Sequence, residues 1–243
     1  MLSSFQQSRV KSMRQVPDYA DIRNKGFCVH CGAADETSDH VPSKTFLDEP
    51  FPENLPVSPS CFRCNNNLSL DEEYLACLLE CVIAGAVDPD KIERPRVARS
   101  LTRKHRLTDR LKKARHTVGE QVVWDFEADR IRGVLLKLAR GHAAFELNEP
   151  RIDAPDAFSF KPLTAMTSGE RDVFEGNSEA RLAPWPEVGS RAMHKLLIVG
   201  SDVYEEGWLV VQEGRYRYRT SQDDGLRVRL VIREYLACET AWY

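Results

Sequence analysis

Two C-x-x-C pairs constrain the fold of this chain more than any other feature of its sequence. Cys28 and Cys31 form the first pair, and Cys61 and Cys64 form the second. Two thiolate pairs of this kind are typical of a tetrahedral zinc site, which ties two distant pieces of backbone together. The sequence therefore predicts an N-terminal module stapled by structural Zn²⁺, in which the residues between the pairs are presented in a fixed geometry.

The composition favours metal ligation over a disulfide framework. The chain has seven cysteines, an odd number, and its first residues include Ser, Gln, Arg and Lys without the apolar core of a secretion signal. No apolar run is long enough to cross a bilayer, so we expect a cytoplasmic protein without a membrane partner. Cys77, Cys81 and Cys238 lie in apolar stretches and are interpreted as core residues.

Three polar residues near the cysteine pairs have the chemistry of a hydrolytic centre. Asp39 and His40 lie between the two pairs, and Asn65 directly follows the fourth cysteine. Carboxylate and amide oxygens bind hard divalent cations, and an imidazole can take a proton from water at neutral pH. These residues therefore predict a site that hydrolyses a bond with the help of a cation.

The segment from residue 26 to about residue 69 resembles the HNH endonuclease family, whose ββα-metal fold is often held by two zinc knuckles. The resemblance covers nearly a fifth of the chain. The matching segments are Cys28-Val29-His30-Cys31, Asp39-His40-Val41-Pro42, Glu53-Asn54-Leu55 and Cys61-Phe62-Arg63-Cys64-Asn65. The chain departs from the family name at Asn65, which stands in place of a histidine and makes this an HNN variant; its amide oxygen can still bind a hard cation.

The resemblance implies a role for each matching residue. His40 would be the general base that takes a proton from the attacking water. Asp39 and Asn65 would hold one catalytic Mg²⁺ or Mn²⁺ at the scissile phosphate. Asn54 would hydrogen-bond to backbone and so fix the loop that carries His40. The implied reaction is phosphodiester hydrolysis that leaves a 5′ phosphate.

The whole sequence predicts an α+β protein with four regions. They are a polar leader at 1–25, the zinc-stapled ββα-metal module at 26–88, a basic helical region at 89–149 and a β-rich region with an antiparallel sheet at 150–243. Within the module, strands are expected at 38–41 and 55–58. A helix is expected after the second cysteine pair, where Ser69 and Glu72 have the spacing of a capping box.

Hydrophobic patterns predict the elements of the other regions. Apolar residues recur at helical spacing in 95–115 and in 128–147, which predicts one helix in each range. His142 lies on the apolar face of the second helix and is interpreted as a core residue rather than a ligand. Proline and glycine predict irregular structure over 150–186. The strands of the antiparallel sheet are predicted at 195–199, 207–212, 216–220 and 226–234.

A local excess of positive charge indicates where nucleic acid could bind, although the net charge of the whole chain is -3. Residues 91–115 include eleven Lys or Arg residues and two acidic ones. Contacts to phosphate supply most non-specific affinity for nucleic acid, but a run of this kind can also be the solvated face of a helix. The candidate contacts are Arg103, Lys104, Arg110, Lys112 and Lys113.

A second basic segment lies near the C-terminus. Strand periodicity places Arg215, Arg217 and Arg219 on one face and the intervening tyrosines on the other. This arginine face could lie on DNA, or it could be the polar face of a sheet whose tyrosines pack inward. Lys44, shortly after His40, is a further candidate for a phosphate contact.

Together these features predict a metal-dependent HNH-type endonuclease that acts on DNA rather than RNA. Two alternatives stay open: a zinc-stabilised nucleic-acid-binding module that does not cleave, and an accessory nuclease of a restriction, mobile-element or anti-phage system. A homodimer or a partner protein could supply the targeting. The chain has neither a phosphate-binding P-loop nor a dinucleotide fingerprint, so no motif supports an NTPase or a dinucleotide-dependent enzyme.

Overall fold

A computed structural model describes residues 24–53, 55–176, 207–222 and 225–243. Most of the leader predicted at 1–25 lies outside the described residues, as do Asn54 and the strand predicted at 195–199. The described part is a mixed α+β protein with antiparallel sheets, which confirms the predicted fold class at that level. None of its helices combines the length and the apolar character that a membrane crossing requires.

Helices and strands alternate along the described ranges. The strands are Thr37–His40 (β1), Val57–Ser60 (β2), Arg115–Val118 (β3), Gln121–Trp124 (β4), Ala157–Pro162 (β5), Leu209–Gln212 (β6), Tyr216–Ser221 (β7), Leu226–Ile232 (β8) and Leu236–Trp242 (β9). The helices are Phe62–Asn67 (α1), Ser69–Ala84 (α2), Pro95–Arg103 (α3), His105–Ala114 (α4), Ala128–Leu147 (α5) and Ser168–Glu175 (α6). Hairpins β1–β2 and β3–β4 are separate, and the other strands form one antiparallel sheet in the order β5-β9-β8-β7-β6.

Helix α5 lies between the N-terminal hairpin and the C-terminal sheet and contacts both. One side packs on α2 and β2, and another packs on β7, β8 and β9. Its apolar residues Ile131, Val134 and Leu135 are buried, as the helical periodicity predicts. His142 is fully buried on the sheet side, where its Nε2 lies 2.8 Å from the Tyr216 hydroxyl, in keeping with a core histidine.

The hydrophobic core runs through the module, the basic helices and the sheet. One buried cluster includes Phe46 from the module, Leu101 from α3, Leu135 from α5 and Leu230 from β8. Because these side chains belong to one cluster, the burial of the module and the burial of the sheet support each other.

The basic stretch forms two helices rather than the single helix predicted over 95–115. Helix α3 ends and α4 begins on either side of Lys104, whose backbone leaves the helical region (φ -106°, ψ 73°). The Thr108 hydroxyl donates to the Leu101 carbonyl at 2.6 Å, and carbonyls in the last turn of a helix such as α3 lack their usual amide partners. The break leaves His105 exposed, although the helical pattern places it on the apolar stripe.

Helix α2 begins at Ser69, but the predicted capping box of Ser69 and Glu72 is wrong. The cap residue is Leu68, which makes no side-chain hydrogen bond. Helix α1 runs almost directly into α2, so the Leu68 carbonyl already accepts from the amides of Asp71 and Glu72. Glu72 is buried, with 5% of its surface exposed, and its carboxylate has other partners.

Several elements have no clear signal in the sequence. The range 150–186, predicted to be irregular, contains β5 and α6, and the basic helical region also contains the hairpin β3–β4. Strand β9 follows a turn in which Arg233 and Glu234 have positive φ values of 61° and 46°. Such turns are usually signalled by Asn-Gly or Asp-Gly. Without that signal, the strand prediction ends at 234.

Two glycines of α5 provide a test of how closely this helix packs. A Cβ added at Gly141 would lie 2.8 Å from Val41 Cγ2, whereas one added at Gly133 would lie 3.4 Å from Leu68 Cδ2, an ordinary contact. We expect Gly141→Ala to destabilise the protein by about 1–2 kcal/mol, because overpacking outweighs the gain in helix propensity. Gly133→Ala should stabilise it by up to about 1 kcal/mol. Chemical denaturation measures both changes, and changes of the same sign would contradict this packing.

Candidate functional site

The first cysteine pair lies on a tight turn. The amides of Cys31 and Gly32 donate to the Cys28 carbonyl at 3.3 and 2.9 Å, and the Cys28 amide donates to the Ala33 carbonyl at 2.6 Å. Gly32 has a φ of +76°, in the left-handed region, which a residue without Cβ adopts at little cost. This turn brings both sulfurs of the pair within reach of one metal ion.

The second cysteine pair lies at the start of α1. Cys61 is the cap residue of this helix, and its sulfur accepts a hydrogen bond from the Cys64 amide at 3.4 Å. The four sulfurs lie within 4.8 Å of one another, and those of Cys31 and Cys61 are 3.7 Å apart. In a tetrahedron with Zn–S bonds of about 2.3 Å, sulfurs are about 3.8 Å apart. The cluster can therefore hold one metal ion and is compatible with structural zinc.

The surroundings of Cys28 favour its thiolate form. Burial alone raises the pKa of this thiol, but the backbone amides of Cys61, His30 and Cys31 outweigh burial and lower the pKa to about 7. Metal ligation requires a deprotonated cysteine, so this environment assists it. Arg140 of α5 donates to the His30 carbonyl at 2.9 Å and thereby holds the first turn against the helix.

Hairpin β1–β2 and helix α1 carry the Asp-His pair and the asparagine. Because side chains alternate along a strand, Asp39 shares one face of the hairpin with Thr37, and His40 lies on the other face. Asn65 of α1 donates from Nδ2 to the Thr37 hydroxyl at 3.1 Å. The structure thus brings Asn65 to the face that carries Asp39, although no hydrogen bond joins these two in the part of the chain that it describes.

The carboxylate of Asp39 forms an ion pair with a lysine of α5. Lys137 Nζ lies 2.8 Å from Asp39 Oδ2 and 2.6 Å from Glu72 Oε1. The other oxygen of Glu72 accepts from the Ser43 hydroxyl at 2.8 Å. All four side chains belong to buried residues, so a buried charge network connects β1, α2 and α5.

The surroundings keep Asp39 and Lys137 charged. Burial raises the pKa of Asp39, but the nearby His30 ring and the charge of Lys137 outweigh burial, and the pKa lies below its usual value. Burial lowers the pKa of Lys137, but the charges of Glu72 and Asp39 outweigh burial and raise it. Removing Lys137 would leave two carboxylates uncompensated in the core.

His30 is a further neighbour of Asp39. Its Nε2 lies 3.6 Å from Asp39 Oδ2, beyond ordinary hydrogen-bond distance. The residue is 6% exposed, and neither ring nitrogen has a hydrogen-bond partner among the residues whose positions are described. A buried ring with unused hydrogen-bonding capacity therefore lies beside the carboxylate.

His40 is half-buried at the end of β1. Burial and the ammonium of Lys44 lower the pKa of its imidazole, and the charge of Asp39 acts in the opposite direction. Because the net shift is downward, the ring is neutral at neutral pH, which is the form that can accept a proton. Lys44 begins the short 3₁₀ helix Lys44–Phe46, and its ammonium lies 5.6 Å from the centre of the Phe51 ring.

The exposed cationic side chains of α3, of α4 and of the residue between them are called the basic surface below. They belong to Arg96, Arg99, Arg103, Lys104, Arg106, Arg110, Lys112 and Lys113. Two predicted phosphate contacts are engaged within the protein: Lys104 with Glu73 at 2.5 Å, and Arg110 with Glu127 at 3.3 Å. Three others have no ion-pair partner within 24–53, 55–176, 207–222 and 225–243, namely Arg103, Lys112 and Lys113.

The arginines of the second basic segment have partners within the protein. The ion pairs are Arg215 with Asp48 and Glu93, and Arg217 with Glu175 and Glu234. Arg219 donates to the Glu175 carbonyl at 3.3 Å. Tyr216 and Tyr218 between them are buried. This arrangement matches the alternative in which the tyrosines pack inward and the arginines form the polar face of a sheet.

Sequence reasoning missed Lys137 and Glu72, the centre of the buried charge network. The capping pattern assigns Glu72 to a helix start, and Lys137 interrupts an otherwise apolar helix. A signal does exist, because Gly133, Lys137 and Gly141 recur every four residues on α5. Small residues on one helix face allow close packing, and a lysine between them on that face needs an acidic partner.

The structure gathers Asp39, His40 and Asn65 on one hairpin and the helix that follows it, beside the four cysteines. Comparisons of the chain with protein-family models, curated proteins and solved structures found no match. The function is therefore inferred from the chemistry of these residues and from the resemblance that their sequence carries.

The cysteine cluster predicts one tightly bound zinc ion per chain. Cys28→Ser should lose this ion and destabilise the protein, because metal binding contributes directly to folding free energy. Cys77→Ala is the matched control, since Cys77 is a buried thiol of α2 outside the cluster, and it should keep the zinc. Metal analysis and denaturation of both variants test this, and folded wild-type protein without zinc would contradict it.

Proposed function

We propose that this protein is a metal-dependent HNH-type endonuclease that hydrolyses phosphodiester bonds of DNA. The observation that supports this most directly is the unit β1–β2–α1 beside the four-cysteine cluster, because Asp39 and His40 lie at the end of β1 and Asn65 lies on the helix that follows. The sequence resemblance implies the same order of elements and residues.

His40 is the general base in this proposal. Its ring is neutral at neutral pH and only half-buried, so it can take a proton from a water molecule. The water oxygen then forms a bond to phosphorus, and the bond from phosphorus to the 3′ oxygen breaks, which leaves a 5′ phosphate. Lys44, on the loop after His40, supplies a positive charge for a phosphate oxygen.

Asp39 and Asn65 are the residues that would hold the catalytic cation. Carboxylate and amide oxygens are the hard ligands that Mg²⁺ and Mn²⁺ prefer, so the donor chemistry fits, although Lys137 already neutralises part of the charge of Asp39. When bound, such a cation stabilises the charge that develops on the departing 3′ oxygen. Zn²⁺ at the four cysteines would be a scaffold, since four thiolates leave no open position.

A groove that begins next to Lys44 in the sequence, at Thr45, offers a route for the nucleic acid. It has a volume of about 270 Å³ and lies between α2 and α3, with Thr45, Arg96 and Lys104 in its walls. Thr45 follows Lys44, and the two cationic residues belong to the basic surface, so the groove connects the loop after His40 with that surface. Phosphate contacts along this path would position a strand without reading its sequence.

Replacement of the proposed base tests the chemistry. His40→Ala should slow Mg²⁺-dependent nicking of plasmid DNA by about two to four orders of magnitude, because a positioned general base is lost. Zinc content and thermal stability should stay close to wild type. The control is His105→Ala, which removes an exposed histidine of α4 and should cleave as the wild type does. Full activity of His40→Ala would refute the mechanism.

One observation favours a second function, a zinc-stabilised nucleic-acid-binding module that does not cleave. Lys137 lies 2.8 Å from Asp39 Oδ2, and a carboxylate that is neutralised in this way has less need of a cation. The nicking assay separates the two functions. DNA binding by zinc-loaded protein without any cleavage in Mg²⁺ or Mn²⁺ would favour the binding module.

The basic surface provides a test of binding that does not depend on cleavage. Arg103→Gln/Lys112→Gln removes two charges without ion-pair partners in the described ranges, and should lower the slope of log affinity against log salt by about one unit per residue. Lys104→Gln/Arg110→Gln removes two charges of the basic surface that are paired with acidic side chains, and should change the slope less. Fluorescence anisotropy of a labelled duplex across a salt series measures the slopes. Equal slopes in wild type and both variants would identify α3 and α4 as a solvated face.

A further inference from the structure

The buried network around Lys137 is unbalanced in charge. Two carboxylates, Asp39 and Glu72, lie 2.8 and 2.6 Å from its single ammonium group, so the three formal charges sum to -1. Their side chains are 10%, 6% and 3% exposed in the order Asp39, Glu72, Lys137. A net charge is unfavourable at such depth unless a further positive group can approach.

His30 marks the side of Asp39 on which a positive group can be received. Its ring lies 3.6 Å from Asp39 Oδ2 and belongs to a residue that is 6% exposed. Neither ring nitrogen has a hydrogen-bond partner among the residues that the structure describes. An imidazole nitrogen and a carboxylate oxygen are both ligands that divalent transition-metal ions accept.

We propose that Lys137 sets the cation requirement of the candidate site by competing with a divalent cation for Asp39. Two positive groups repel strongly in a buried site, so the ammonium and the cation exclude each other from one carboxylate oxygen. Lys137 is then a positioning residue that acts through Asp39 and does not touch the substrate. This inference rests on the proposed function in one respect: the competing ion is taken to be the Mg²⁺ or Mn²⁺ of that function.

The network allows the Lys137 ammonium to move away from Asp39 and still keep one acidic partner. Glu72 lies 2.6 Å from the ammonium, and Ser43 holds the other carboxylate oxygen of Glu72 at 2.8 Å. The four-carbon stem of a lysine is flexible, so a small rotation moves the ammonium from two carboxylates to one. Glu72 therefore serves as the anchor of the lysine when Asp39 binds a cation.

Direct measurement of Mn²⁺ binding to the zinc-loaded chain, without DNA, tests this competition. Lys137→Met keeps the aliphatic stem and removes the charge, so it should bind Mn²⁺ at least about tenfold more tightly than the wild type. Glu72→Gln removes the second carboxylate, so the ammonium pairs with Asp39 alone. This variant should bind Mn²⁺ more weakly than the wild type. Electron paramagnetic resonance of free Mn²⁺ gives the dissociation constants, and metal analysis checks that zinc stays bound.

Opposite shifts in the two variants distinguish competition from a purely structural role. Loss of a buried ion pair lowers stability in both variants but gives no reason for opposite changes in Mn²⁺ affinity. The double variant Lys137→Met/Asp39→Asn should lose the tighter binding, because the shared carboxylate is gone.

If Lys137→Met folds only after Mn²⁺ is added, the cation has replaced the ammonium, and the inference is supported. If Lys137→Met stays unfolded with Mn²⁺, the Glu72→Gln variant provides the test. Mn²⁺ binding by Glu72→Gln that is as tight as in the wild type, or tighter, overturns the inference.

Failure of the inference and failure of the proposed function give different results. Equal Mn²⁺ affinities in wild type and folded Lys137→Met, or no Mn²⁺ binding by either, overturn the competition whatever the nicking assay shows. Opposite shifts in Lys137→Met and Glu72→Gln, together with a wild type that does not cleave DNA, would uphold the competition and remove the nuclease assignment.

Discussion

The rest of this structure depends on a lysine ammonium buried between three elements. Lys137 connects α5 to β1 through Asp39, at 2.8 Å, and to α2 through Glu72, at 2.6 Å. Removing the ammonium would leave two buried carboxylates uncompensated, and loss of one partner of a buried ion pair costs about 3–5 kcal/mol. The network therefore holds the hairpin against the central helix, and it also decides how much negative charge Asp39 can offer to anything else.

The cysteine cluster supports the same hairpin. It connects the turn before β1 with the start of α1, while Arg140 connects that turn with α5. Gly141 lets α5 approach Val41, directly after β1. A short hairpin buries little apolar surface of its own, so ligation, ion pairing and close packing have to hold it together. These three constraints meet at the residues that carry the candidate chemistry.

Positive charge in the molecule is divided between a part that stabilises the fold and a part that faces solvent. The side-chain amide of Gln212 exchanges hydrogen bonds with the backbone of Asp48 at 2.8 and 3.0 Å, and Arg215 pairs with the carboxylate of Asp48. The sheet thereby supports the loop that follows the Asp-His pair. The basic surface instead lies exposed to solvent, and two of its residues, Arg96 and Lys104, also line the groove beside α2.

The sequence by itself determined the features that depend on spacing along the chain. The two C-x-x-C pairs predict the four-sulfur cluster, and helical periodicity predicts α5 with its observed bounds, because each depends on residues a few positions apart. The partners of Lys137 and of the β7 arginines could not be predicted, because those partners come from distant segments and become neighbours only when α5 and the sheet pack. The sequence thus identified which side chains have the chemistry for a site. Tertiary structure decided which of their charges are neutralised inside the protein, since charge pairing depends on distances in space rather than along the chain.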